Sequence, residues 1–188
     1  EAFVRNGNTV LASGMSGFYS PKGMFWPMEK NFPLEGVFGA RPREVRNVDS
    51  NAAVVKLTNP PLALPSVAWA TEIANRGAEV IGRHGERITA VRHKLGTGEA
   101  IWIPSPIGVA AFLGDGGPLA RLLASVTGPF TGQLPFHFAG YHPGCLMRTL
   151  QNSGSYVSVV ANTTPAQRRI RVEAPAGLTP KLLWGKEG

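Results

Sequence analysis

The chain has 188 residues, 43% of them hydrophobic, and a formal net charge of +7, enough apolar material for one ordinary domain or for two small ones sharing an interface. Its longest apolar stretch, Ile107 to Leu113, is far shorter than the roughly 20 residues that cross a bilayer, so no membrane partner is expected. The 19 Lys and Arg are spread along the chain, and nucleic acid is not expected either, because that partner calls for a clustered basic face with aromatic platforms.

Taken in chain order, Glu1 to Arg5 reads as the last turn of a helix, stopped at Asn6-Gly7 where a positive φ costs least. The opening residues carry neither an initiator Met nor the pattern of a signal peptide, so the chain is expected to start in mid-protein or after processing. Thr9 to Ala12 is a short buried strand closed by Ser13-Gly14. A loop, Met15 to Asn31, carries Pro21, Pro27 and the cluster Met24-Phe25-Trp26. Asn31 is expected to cap a short helix with Leu34, Val37 and Phe38 on one face and Gly39 as its stop.

Val45 and the run Ala52 to Leu57 look like strands, whereas Asn59-Pro60-Pro61 and Leu64-Pro65 are expected to break regular structure. Strand signals then follow at Glu79 to Ile81, Arg87 to Lys94 and Ala100 to Ile103, with Gly96-Thr97-Gly98 as a glycine-rich turn. Pro118 opens a helix with Leu119, Leu122, Leu123 and Val126 on one stripe, and Gly128 is expected to end it. Residues 129 to 144 are rich in proline and glycine and read as a linker packed on the surface. Beyond it, Leu146 to Leu150, Tyr156 to Ala161, Arg169 to Glu173 and Lys181 to Trp184 are short strand-forming runs that must pair antiparallel. The close group Arg168, Arg169 and Arg171 reads as a charged strand edge.

The phrase Val91-Arg92-His93-Lys94-Leu95-Gly96-Thr97-Gly98-Glu99-Ala100-Ile101-Trp102-Ile103 is similar to the hairpin near the end of the trimerisation domain in β-galactosidases of glycoside hydrolase family forty-two, where it also precedes a final helix. Three further segments resemble that family in the same order: Phe3 to Ser13, Pro33 to Ala40, and Tyr156 to Thr164. Gly7-Asn8 stands where the family has Gly-Gly. The resemblance implies an α/β chain: an incomplete flavodoxin-like domain akin to class I glutamine amidotransferases (residues 1–128, earlier strands missing), the linker at 129–144, and a small antiparallel β-sandwich at 145–188. It also implies that the catalytic barrel lies elsewhere in the same protein or a larger chain, that this region supports homo-oligomer contacts, and that it holds no cofactor.

The residues themselves offer few chemical sites. A lone cysteine, Cys145, excludes an internal disulfide or a cysteine-based zinc site, and it enters a strand rather than a nucleophile turn, so a working amidotransferase is disfavoured. A glycosidase needs two converging carboxyl groups, and Glu35, Glu44, Asp49, Glu72, Glu79, Glu86, Glu99 and Asp115 show no such pairing. Asp115 instead suits the N-terminus of the following helix. His84, His93, His137 and His142 are expected to be exposed or locally hydrogen-bonded rather than metal ligands. Binding or an interface is expected at the aromatic loop, with Phe18, Tyr19, Phe25 and Trp26 as its residues; they plug the sheet, contact another subunit or stack on a sugar, in that order of expectation. The alternative to an accessory role is a module that binds carbohydrate or an anionic polysaccharide.

Overall fold

The computed structural model describes residues 1–26, 32–48, 53–131, 135–140, 142–178, 181 and 183. The chain divides into two compact units, Glu1–Val126 and Thr127–Gly188. Strand outweighs helix among the described residues.

The first unit opens with α1 (Ala2–Arg5) and β1 (Thr9–Ser13), followed by α2 (Glu35–Phe38), β2 (Ala40–Asn47), β3 (Ala53–Thr58), β4 (Pro61–Ser66), β5 (Trp69–Asn75), β6 (Glu79–His84), β7 (Arg87–Leu95) and β8 (Gly98–Ile103). Two helices close it, α3 (Ile107–Leu113) and α4 (Gly117–Thr131), the latter running past the boundary between the units. Six strands form one sheet in the order β1-β8-β7-β6-β3-β4, in which β1 runs parallel to β8 and the other neighbours are antiparallel. β2 and β5 make a separate antiparallel ribbon.

Alternation along β8 shows why this sheet is buried on both faces. Ala100 and Trp102 enter one apolar cluster with Val4, Phe18, Phe32, Val37, Phe38, Ile73 and Val91. Ile101 and Ile103 enter the other with Val55, Leu57, Leu64, Ile81, Ile107 and Leu122. The side-chain period of two thus sends consecutive residues to opposite cores, as expected of a strand covered on both sides. Thr71 fastens β5 to the chain after β8, its backbone N–H donating to Ser105 Oγ at 3.2 Å and its hydroxyl to the Pro104 carbonyl at 3.1 Å. Both Thr71 and Ser105 are fully buried.

The glycine-rich turn between β7 and β8 has a packing cause. Its tip is stitched to the α1–β1 connection, Thr97 N–H donating to the Arg5 carbonyl at 3.3 Å and Glu99 N–H to the Asn8 carbonyl at 3.2 Å. A Cβ at Gly98 would run into the Val4 and Asn8 carbonyl oxygens, so only glycine fits.

Several expectations need correction. Pro61 and Pro65 do not break structure but lie in β4, a strand at the edge of the sheet, where missing N–H donors are tolerated. β5 has no counterpart among the expected elements. The residue before α2 is Leu34, which makes no side-chain cap bond; Asn31, the expected cap, falls outside the described residues, and Gly39 ends the helix with φ of 60°. α4 runs through Gly128 to Thr131 with Pro129 inside it, and Leu123 is 44% exposed, so its buried stripe narrows to Pro118, Leu119, Leu122 and Val126. α3, noted only as an apolar run, is a helix whose Ile107 and Ala110 face the core.

In the second unit β9 (His137–Phe138) lies inside the expected linker and pairs with β12 (Val172–Glu173). β10 (Cys145–Asn152) and β11 (Ser155–Asn162) form an antiparallel hairpin. The expected strand Arg169–Glu173 shortens to its last two residues, because the arginine-rich part is exposed and like charges gain nothing from pairing there. Of the expected strand Lys181–Trp184, Leu182 and Trp184 lie outside the described residues.

Candidate functional site

The loop after β1 folds back on itself as a small hairpin, with an antiparallel bridge between Tyr19 and Phe25. Ser20 N–H donates to the Met24 carbonyl at 2.7 Å, Gly23 N–H to the Ser20 carbonyl at 2.8 Å, and Trp26 N–H to the Phe18 carbonyl at 2.9 Å. These bonds bring together the four aromatic residues singled out in the sequence, but they place them differently. Phe18 is fully buried, Tyr19 and Phe25 are about half exposed at 50% and 46%, and Trp26 is partly exposed.

Phe18 is the root of the hairpin. Its ring meets Phe25, Phe32 and Trp102 edge-on at centroid distances of 5.8, 6.0 and 6.4 Å. Trp102 in turn stacks against Phe38 at 5.0 Å and against Phe32 at 5.2 Å. Offset and edge-on pairs of this kind add about 0.5–1.5 kcal/mol each beyond their burial. The hairpin is therefore held at its base by the rings of Phe18, Phe32, Phe38 and Trp102 and presents Tyr19, Met24 and Phe25 at its tip, with Met24 65% exposed. The anchors Phe32, Phe38 and Trp102 were not linked to the loop in the sequence, because their contacts join segments far apart in the chain.

A shallow cavity of about 670 Å³ lies beside this cluster, lined by Phe32, Pro33, Glu35, Gly36, Gly39, Arg76 and His93. His93 Nδ1 is 2.9 Å from the Val37 carbonyl, which can only accept, so Nδ1 carries the hydrogen. Gly39 lies against the same ring: a Cβ there would be 2.7 Å from His93 Cδ2. A second cavity, of about 450 Å³, in the other unit is lined by Pro135 to Phe138 and by Met147, Arg148, Thr149 and Gln151.

The carboxylates are distributed as structural partners. Glu72 faces Arg43 at 3.1 Å and Arg87 at 3.5 Å, Glu79 and Glu99 flank Arg92 at 3.9 and 3.6 Å, and Glu35 lies 3.9 Å from Arg41. Asp115 accepts the Gly117 N–H at 2.8 Å at the start of α4, the role its sequence position suggests. Glu44 bonds Arg46 at 2.5 Å, and this bond holds its carboxyl below the usual range. Cys145 is buried at the start of β10. His137 contacts Glu173 at 2.9 Å across the β9–β12 pair, and His142 lies edge-on to Phe138 at 5.5 Å. Among the described residues no three His, Cys, Asp or Glu side chains come together, and no helix is long and apolar enough to cross a membrane.

No family model matches the chain, and no curated protein matches it. Solved structures do. A GH42 β-galactosidase from G. stearothermophilus aligns with a TM-score of 0.59 at 18% identity, over 87% of this chain and 23% of its own. The β-galactosidase of Rahnella sp. R3 aligns with a TM-score of 0.65 at 16% identity, over 86% of this chain and 24% of its own. That of Bacillus circulans sp. alkalophilus gives 0.59 at 17% identity, over 86% and 24%. At such identities the likeness is one of fold, and the chain spans about a quarter of the length of these enzymes.

Proposed function

We propose that this chain is an accessory, non-barrel region of a β-galactosidase-like glycoside hydrolase, with catalysis performed on a barrel outside it. The observation that carries this reading is the asymmetry of coverage: 86–87% of the chain finds a counterpart in 23–24% of each β-galactosidase. The carboxylate arrangement agrees with it, since glycosidic cleavage needs two acids converging on one bond and here Glu35, Glu72, Glu79 and Glu99 are each engaged with an arginine.

In finer detail the reading assigns residues 1–128 to an amidotransferase-like α/β domain with a flavodoxin-like sheet, 129–144 to a linker and 145–188 to a small β-sandwich domain. The edge of the main sheet supports an incomplete sheet. β1 has Val10 and Ala12 packed on one core and Leu11 on the other, as a central strand would, yet among the described residues it pairs only with β8. It carries no proline, charge or bulge, the devices that protect a true edge. The opposite edge, β4, carries Pro61 and Pro65. On this reading β1 receives a further strand, and the hairpin, with Tyr19, Phe25 and Trp26 rooted by Phe18, makes homo-oligomer contacts.

A mechanism-based label tests the absence of a nucleophile. Incubation with an activated 2-deoxy-2-fluorogalactoside, which traps the covalent intermediate of retaining enzymes, leaves the mass of the chain unchanged. A stable adduct on any aspartate or glutamate overturns the proposal.

A further inference from the structure

Among the described residues of β2 to β8, six arginines have partners. Arg41, Arg43, Arg46, Arg87 and Arg92 face carboxylates, and Arg83 donates to the Glu86 carbonyl at 3.0 Å. The seventh, Arg76, has no side-chain partner, is exposed, and lines the 670 Å³ cavity beside α2. His93 lines the same cavity. In the tautomer that keeps the Nδ1 hydrogen on the Val37 carbonyl, Nε2 is an acceptor, and it has no partner among the described residues. The third ionisable group of the lining, Glu35, is drawn toward Arg41. Phe32 and Pro33 add an apolar wall, and Gly36 is exposed, whereas the buried Gly39 has its N–H on the Glu35 carbonyl and its carbonyl on the Arg76 N–H.

From this we infer that the cavity is a binding site for a hydroxylated carboxylate, of which a hexuronate is the carbohydrate form. The guanidinium takes the carboxylate, a planar match that forms two parallel hydrogen bonds. His93 Nε2 accepts a hydroxyl hydrogen, so a bare anion without a donor is disfavoured at that position. A neutral sugar satisfies His93 but leaves Arg76 unpaired. This goes beyond an accessory role and stands whether or not the chain belongs to a hydrolase.

The test is a titration of the isotope-labelled chain with glucuronate, glucose and sulfate, followed by amide chemical shifts. Glucuronate at millimolar concentration shifts Gly36, Gly39 and Arg76 saturably, and glucose and sulfate bind at least about tenfold more weakly, the loss expected for one charge-assisted hydrogen bond. Arg76→Gln weakens glucuronate about as much. His93→Asn, whose amide can still donate to the Val37 carbonyl but which lacks Nε2, also weakens it, while the unchanged spectrum of the remaining amides reports an intact fold. Equal affinity for glucose or sulfate, no saturable shift, or undiminished binding by Arg76→Gln overturns the inference.

Discussion

At the scale of single residues, Trp102 is the centre of the first core: fully buried, stacked against both Phe32 and Phe38, with its indole N–H buried and unpartnered among the described residues. Trp102→Ala is expected to cost about 3–5 kcal/mol, the usual range for emptying a large aromatic site. Trp102→Phe removes the orphaned donor together with part of the ring, and an unsatisfied buried donor itself costs about 1–3 kcal/mol. The phenylalanine variant should therefore lose less than half as much in urea denaturation. Glu44 is a contrasting case. Its carboxyl is held low first by the bond from Arg46, so any stabilisation is present above the ordinary glutamate range and is lost as pH falls through the lowered value. Arg46→Ala should return Glu44 to the ordinary range in a carboxyl-detected titration without moving the unfolding midpoint, because exposed pairs contribute little.

At the scale of elements, α3 has two apolar faces. Ile107 and Ala110 enter the core, while Val109, Phe112 and Leu113 stand 51%, 88% and 69% exposed at helical spacing. Phe112→Ser should leave stability within about 0.5 kcal/mol of the parent, as surface changes do, and raise solubility. Replacing Pro61 and Pro65 of β4 by threonine should increase concentration-dependent light scattering, since it restores pairing groups to that edge. The elements easiest to read in the sequence were those where local signals agreed: the β7–β8 hairpin with its glycine turn, the α1 stop at Asn6-Gly7, and the hairpin of β10 and β11. β4 was missed because proline breaks central strands but not edge strands, a distinction fixed by sheet order. β5, with Ala70, Glu72 and Ala74 facing outward from Thr71 and Ile73, lacks the β-branched density that marks a strand. The aromatic loop was legible as a place of contact, but its division into a buried root and an exposed tip depends on Phe32, Phe38 and Trp102, which no local pattern connects to it. The Arg76–His93 cavity was invisible for the same reason.

At the scale of the molecule, the two units differ in how they are built. Glu1–Val126 contains both apolar clusters, whereas in Thr127–Gly188 Cys145 alone among the described residues is a buried hydrophobic residue. A two-stranded hairpin with so little covered surface is marginal in water, so a fragment of residues 127–188 should give a narrow amide spectrum and no cooperative melting. The first unit owes its order to a sheet sandwiched between cores, with its ionisable groups placed across strands. That arrangement fits the accessory role proposed above. The most direct measurement is turnover of a chromogenic β-galactoside by the purified chain. No hydrolysis above the buffer blank is predicted; hydrolysis that purifies with the chain and disappears when Glu35, Glu72, Glu79 or Glu99 is changed to Gln would contradict the account.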